Sequence, residues 1–257
     1  MEQMIFSLLS AMTDAPVRLK FHPVVNQRYD YNVVSDFVGS TGGRFGIYTE
    51  YDAAFRFEKR SKRFVLHGKL SGAKETKDGT KSVDTAMAVS QLNRTILGAT
   101  FDSKGRLSGS FETTISPNPE RMSSTRPDEL ATYSFMNFSY PSRQVSVGSK
   151  WTATVNGEKY WPSGEMIETE GGQKISVKYV VTGFSMVKGH TLVTVVGTVL
   201  AKIKLYHWPI RYHSVENVEE KDEFTIDSSD GLVVRARLEV KSKHRGETKK
   251  VVSFTRR

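Results

Sequence analysis

Apolar and charged side chains alternate after Gly231: Val234, Ala236, Leu238 and Val240 in one register, Arg235, Arg237, Glu239, Lys241 and Lys243 in the other. Successive side chains of a strand point to opposite faces, so this pattern predicts a β-strand with one face on a core and one in water. The strand before it, Val215 to Ile226, joins it through Asp227-Ser228-Ser229-Asp230-Gly231, read as a tight Asp-Gly hairpin turn because Gly tolerates positive φ. A shorter form of this turn stands at Phe101-Asp102-Ser103-Lys104-Gly105-Arg106-Leu107, ahead of a strand from Leu107 to Thr113.

The same period recurs along the chain. Gln27 to Phe37 alternates through Tyr29, Tyr31 and Val33; Phe45, Ile47, Tyr51, Phe55 and Phe57 mark a long strand; Phe64 to Thr76 and Arg94 to Phe101 follow. Asp78-Gly79 is a hairpin signal leading into Lys81 to Ser90, yet Val83 to Leu92 reads equally as helix or strand. Trp151 to Val155, Asn156-Gly157 and Lys159 to Trp161 form a type I′ hairpin signal, and Ile175 to Val187 with Thr191 to Leu205 form a long hairpin across Lys188-Gly189. Thr125 as cap, Pro127 in the first turn, then Asp128 and Glu129, predict one short helix from Asp128 to Phe138 that covers an open sheet face with Leu130, Tyr133 and Phe138. The fold class is all-β, with curved antiparallel sheets forming a half-barrel, barrel or sandwich and one or two short helices.

Phe21-His22-Pro23 and Tyr140-Pro141 each precede an aromatic-bearing strand, and each half closes near an Asp-Ser-x-Gly turn. This predicts two related halves: a signal-like or mobile segment at residues 1–15, a first β half at 16–115, a linker and short helix at 116–138, and a second half at 139–257, together one compact domain.

Composition narrows the class. Hydrophobic content of 38% with 14 Phe and 10 Tyr is that of a folded core, and no apolar run is long enough to span a bilayer as a helix. Without Cys there is no disulfide, thiolate metal site or Cys nucleophile. Ile5 to Met12 resembles the apolar part of a signal peptide, followed by small residues, though Glu2 stands where a basic residue is expected. The expectation is export, periplasmic, envelope-associated or secreted, with a cytoplasmic location as the alternative.

The formal charge of +9 is concentrated in two stretches. Lys59 to Lys81 holds eight Lys/Arg against Glu75 and Asp78, net +6, and Arg235 to Arg257 holds nine against Glu239 and Glu247, net +7, which leaves −4 for the remainder. Neighbouring in space, Lys59, Arg60, Lys62 and Arg63 would join Arg235, Arg237, Lys241 and Lys243 in one patch attracting an anionic envelope polymer or lipid; nucleic acid is not the expected partner. Basic edge strands that resist pairing are the plainer reading.

Catalytic motifs are absent: no Gly-x-Ser-x-Gly elbow, His-Glu-x-x-His, Walker loop or dinucleotide fingerprint. Gly39 to Gly43 lacks the Lys and helix of a phosphate loop and reads as a hairpin turn. Of six scattered His only His207 and His213 are close, without a nearby Asp, so neither a metal nor a cofactor is expected. Glu165, Glu168 and Glu170 in a Gly-flanked loop do not make the fixed carboxylate pair of a glycosidase. The most unusual local chemistry is Tyr206 to His213. Its His207, Trp208, Tyr212 and His213, with Trp161 from the second Trp-Pro dipeptide, are the candidate ligand-binding residues, because Trp and Tyr combine apolar area with a polar handle.

Tyr140-Pro141 with Val145-Ser146-Val147-Gly148-Ser149-Lys150-Trp151, and the turn Phe101-Asp102-Ser103-Lys104-Gly105, resemble an uncharacterised family of exported all-β bacterial proteins, a domain of unknown function. The resemblance runs from about Leu19 onward, implies an envelope or secreted location, and offers no catalytic residues to carry over. The chain departs from it in lacking a clear signal peptide.

The functional expectation is a non-enzymatic exported protein that binds an apolar or amphipathic ligand such as a lipid, or a protein partner, in a concave sheet. The alternatives are an adhesion or scaffold module docking on anionic envelope polymer through a basic face, and a hydrolase whose His and acidic residues converge in one cleft.

Overall fold

The alternating segments are strands in the computed structural model, which describes residues 15–39, 45–81, 83–106, 112–115, 138–156, 167–169, 173–207, 212–243 and 247–257. In chain order they are β1 (Arg28–Gly39), β2 (Phe45–Arg60), β3 (Arg63–Lys77), helix α1 (Val83–Leu92), β4 (Thr95–Asp102), β5 (Glu112–Ile115), β6 (Lys150–Asn156), β7 (Ile167–Thr169), β8 (Lys174–Val187), β9 (His190–His207), β10 (Tyr212–Asp227), β11 (Val233–Lys243) and β12 (Glu247–Arg256).

All twelve strands form one antiparallel sheet in the order β5-β4-β3-β2-β1-β12-β11-β10-β9-β8-β6, with β7 paired to the far end of β9. The sheet is curved and open, half-barrel-like, which resolves the sequence's choice among half-barrel, barrel and sandwich. Its order is that of a consecutive meander broken in two places: β1 and β12 pair in the middle, from Tyr31↔Arg256 to Val38↔Lys249, and β7 is skipped, β6 pairing with β8 and β7 with β9; β5 and β6 form the edges.

Register stacks the inward residues into rows. Tyr51, Val33, Phe254, Ala236, Phe224, Val195 and Val181 share one row across seven strands, all buried. Two glycines make space for rings in this face: a Cβ at Gly68 would lie 2.9 Å from the Phe55 ring, and one at Gly197 would lie 3.0 Å from the Tyr179 ring.

Three segments fill part of the concave side. Val17 pairs with Val145 through two 2.8 Å backbone hydrogen bonds, so the segments on either side of the first half form a strap across the sheet. Phe21 is the hub for the rings of the first half, with centroids 5.7 Å from Phe57, 5.4 Å from Phe64 and 5.5 Å from Phe101. Phe138 plays that part in the second, 5.3 Å from Tyr179, 5.3 Å from Phe224 and 5.9 Å from Trp151. Tyr140 joins the hubs, 5.9 Å from Phe21 and 5.0 Å from Phe138. Each such pair adds about 1 kcal/mol beyond burial.

The third segment is α1, where the sequence left helix and strand open. Buried Thr85, Ala88 and Leu92 recur at three- and four-residue spacing, which fits one helix face and no strand face. Asp78 and Gly79, at φ 52° and 75°, form the expected tight turn, but it leads into this helix and not into a strand. The expected helix from Asp128 lies outside the described residues except for Phe138. So does the expected return strand at Lys159 to Trp161; β6 is seen paired with β8. The Lys188-Gly189 hairpin is as expected, with φ 50° and 82°.

Candidate functional site

The apolar inner face changes character along its length. At the end where β1 begins it is aromatic and filled by the strap. Further along, buried acids enter: Glu75, bonded by the Thr49 hydroxyl at 3.1 Å, and Glu220 and Asp222 on β10. Val177, Val199, Ile203 and Val218 lie among them, also buried.

The two Asp-Ser turns close the filled end. Asp102 Oδ1 accepts the Lys104 and Arg106 amides at 2.8 and 2.9 Å, and Gly105 takes φ 75°. Asp227 Oδ1 accepts the Ser229 amide at 2.9 Å, and Gly231 takes φ 71°. Both are therefore Asp-capped loops. The second is not the tight two-residue Asp-Gly turn the sequence suggested: its closing bond runs from Gly231 N–H to the Asp227 carbonyl at 2.8 Å, and Asp230 lacks the positive φ of a type I′ turn.

Both loops rest on the strap. A Cβ at Gly105 would lie 2.7 Å from the Tyr140 ring and 2.8 Å from Phe21. The His22 amide donates to the Asp230 carbonyl at 2.9 Å, and the Tyr140 hydroxyl donates to the Gly231 carbonyl. Arg256, from β12, donates to Asp230 at 2.7 Å and Asp227 at 3.1 Å, with its guanidinium 5.8 Å from the Tyr29 ring centre. One cation thus holds two acids with opposite shifts. Burial raises the Asp230 carboxyl, and the Leu232 amide and Arg256 offset this only in part, so its pKa stays above the ordinary value. Burial also acts to raise Asp227, but its bonds to Ser229, with His190 and Arg256, outweigh that and hold it below.

His190, Asp227 and Ser229 meet here, so three residue types of a hydrolase triad converge. Their geometry differs from a triad. The same ring atom, His190 Nδ1, lies 3.0 Å from Asp227 and 3.2 Å from Ser229 Oγ, while the Ser229 hydroxyl donates directly to Asp227 at 2.7 Å. A nucleophilic serine needs its proton directed at the imidazole nitrogen opposite the one that faces the acid. This trio clasps a turn.

A groove of about 650 Å³ lies on the outer face of β1–β3, with Asn26, Arg28, Arg56, Glu58, His67 and Lys69 in its lining. Arg28 pairs with Asp30 at 2.8 Å, and Glu58 holds Arg60 at 3.0 Å and His67 at 3.3 Å. The hydrogen bonds from Arg60, then His67, keep the Glu58 carboxyl below its ordinary range.

The residues singled out in the sequence do not gather at one place. His207 and Tyr212 are register partners at the end of the β9–β10 hairpin and His213 follows, exposed; Trp161 and Trp208 lie outside the described residues. Lys59, Arg60, Lys62 and Arg63 form the tip of the β2–β3 hairpin at one end of the sheet. Lys241, opposite Lys249, and Lys243 stand at the other end, level with Val38 and Gly46. At 3.3 Å per residue that separation is about 40 Å along β2. Glu239 engages Lys249 at 3.1 Å, Lys241 at 3.5 Å and Arg237 at 3.8 Å, and the acids Asp52 and Glu50 stand between Arg235 or Arg237 and β3. The two basic stretches make no single patch. Sequence reasoning missed the groove; the signal available was Arg28, Arg56, His67 and Lys69, all on the outward register of their strands.

No family profile and no curated protein sequence matches the chain. Among solved structures, it is similar to lipovitellin, in a study of lipid–protein interactions in that protein, at TM-score 0.51 and 11% identity over 93% of this chain. The chain spans 25% of the length of that lipovitellin chain. Weaker likenesses are to a Bacteroides fragilis protein with a YmcC-like fold (TM-score 0.25, 6% identity, 91% of this chain and 97% of that one) and to an outer membrane channel from Pseudomonas putida F1 (TM-score 0.30, 8% identity, 95% and 99%). At these identities the likeness concerns the fold alone. Among the described residues no helix is long and apolar enough to cross a membrane, and no cluster of His, Asp and Glu could hold a metal ion.

Proposed function

We propose that the protein is a non-enzymatic, exported binding protein that takes an apolar or amphipathic ligand, a lipid being the leading class, on the concave face of its sheet. The observation that carries this is the inner face itself. It is apolar across consecutive strands of an open sheet; the strap packs the end with the two ring hubs, and beyond them Ile175, Val177, Val199, Ile203 and Val218 continue the face, buried beside the acids Glu220 and Asp222. Such a surface selects by shape and apolar area and needs no reacting group. The lipovitellin likeness supports the architecture; the ligand class rests on the chemistry of the face.

Solvent extraction of the purified protein followed by mass spectrometry tests the reading. A co-purified lipid near one per chain, displaced by a hydrophobic fluorescent probe, is the expected result. Protein that carries no ligand and has no affinity for such probes would overturn it.

A further inference from the structure

The end of the sheet that bears the two Asp loops has an unbalanced charge. Register puts Arg28 directly opposite Arg56, and Arg56 opposite His67, so basic side chains stand side by side on three adjacent strands at the mouth of the outer groove. Like charges directly opposite one another are unfavourable unless an anion lies between them. Arg28 has Asp30 and His67 has Glu58, but Arg56 and Lys69 have no ion pair among the described residues. Nor do Lys59, Lys62, Arg63, Lys104 and Lys188, which sit on the loops of the same end. Its acids Asp30, Glu58, Asp102, Asp227 and Asp230 are each held by a cation.

Large apolar side chains are exposed among these cations. Val24 and Val25, 53% and 39% exposed, precede β1 beside the groove's Asn26; Met186 and Val187, 57% and 49% exposed, form the tip of the β8–β9 hairpin. Exposed apolar loop residues ringed by unpaired cations suit a surface that is anionic in its headgroup layer and apolar just beneath.

We propose that this end of the sheet docks on an anionic lipid bilayer, with Val24, Val25, Met186 and Val187 entering the headgroup boundary and the groove receiving a lipid phosphate between Arg56 and Lys69. Charge complementarity selects this partner, and the four apolar residues separate it from a soluble polyanion, which would use the cations alone. The surface is distinct from the concave face, so the inference stands independently of the ligand reading.

Co-sedimentation of the whole chain with vesicles tests it. Phosphatidylcholine vesicles containing phosphatidylglycerol are expected to bind, pure phosphatidylcholine vesicles are not, and binding should fall as salt rises. Arg56→Gln and Lys69→Gln should each weaken binding about five-fold, and Met186→Asp with Val187→Asp should weaken it further. These side chains lie on the surface, so unchanged circular dichroism and Tm identify variants that remain folded; the salt dependence of the parent protein needs no variant. Equal binding to both vesicles, no vesicle binding, or binding that the charge variants weaken and the Met186 and Val187 variants leave intact would each overturn the proposal. The last result would indicate a soluble anion or polyanion. Vesicle binding by a protein that carries no extractable lipid would keep this inference and remove the ligand reading.

Discussion

The Gly231 backbone lies so close to the Lys20 carbonyl that a Cβ there would stand 1.9 Å from the Lys20 oxygen. The clashing atom is backbone, held by the adjacent His22–Asp230 hydrogen bond of 2.9 Å, so it cannot rotate away. Gly231→Ala must either part the loop from the strap or distort both. The expected loss is about 3 kcal/mol or more. Gly189→Ala is the matched control. Its φ of 82° is equally positive, but nothing lies within 4 Å of the added atom, and about 1 kcal/mol is expected. Denaturant midpoints of the two variants check the difference.

Arg256 is mostly buried between Asp227 and Asp230. Arg256→Met takes from Asp227 and Asp230 the cation they share, leaving Asp227 with His190 and Asp230 with no ion pair, and should destabilise by about 3 kcal/mol. Adding Asp230→Asn removes the uncompensated charge and should restore part of the loss. A double-mutant cycle of urea midpoints reads both effects; simple additivity would show that Arg256 acts through packing alone.

The two acids predict opposite responses to pH. Asp227 has a depressed folded-state pKa, so its stabilisation is present above its unfolded pKa, about 3.9, and is lost as pH falls through the lower folded value. Asp230 has a raised pKa; its contribution is full below the unfolded value and is lost as pH rises through the folded one. Asp227→Asn should therefore flatten the acid limb of stability against pH, and Asp230→Asn should steepen it. Asp102 retains part of the limb in both, since its amide bonds and Arg106 outweigh burial and hold its carboxyl low. Urea midpoints measured from mildly acidic pH downward give the slopes.

Phe138 is the hub on which the second half closes. Phe138→Ala should cost about 4 kcal/mol. It also removes the ring 5.9 Å from Trp151, whose indole donates to the Ser139 carbonyl at 2.8 Å and stacks on Tyr179 at 5.1 Å. A red shift of tryptophan emission should accompany the lost stability as the strap loosens; an unshifted spectrum would mean that the strap stays docked without its ring.

Alternation made the strands legible because each has one wet face and one dry face. In β11, Ala236 and Leu238 are buried and Arg235, Arg237 and Lys241 exposed, as the pattern requires. Alternation alone puts Val233 on the wet face; a bulge at Thr225/Ile226 shifts the pairing and brings it inward beside Val234. The helix at Val83 was ambiguous because its apolar residues satisfy both periods until a neighbour fixes which face is buried. The pairing of β1 with β12 could not be read at all: it is long-range, and no local pattern encodes it. The candidate site was less legible still. The groove arises from strands whose cations are unremarkable singly and become adjacent only through register.

The two aromatic-Pro segments and the two Asp-Ser turns, separate in sequence, meet in one place: Phe21 and Tyr140 touch, Gly105 rests on both, and Gly231 accepts from Tyr140. We keep the internal duplication as a proposal, to which this meeting gives a geometric form.

The pairing of the first and last strands also bears on how the chain acquires its structure. β1 pairs with β12, and the Tyr31 hydroxyl donates to the Val233 carbonyl 202 positions on, so during synthesis this edge of β1 stands unsatisfied until β12 has emerged. Such delay slows folding and exposes an edge open to foreign pairing. A circular permutant that links β12 to β1 and opens between β5 and β6 would turn the long-range β1–β12 pair into a pair of chain neighbours, leaving β6–β8 and β7–β9 as the pairings that skip a strand, and should fold faster than its parent.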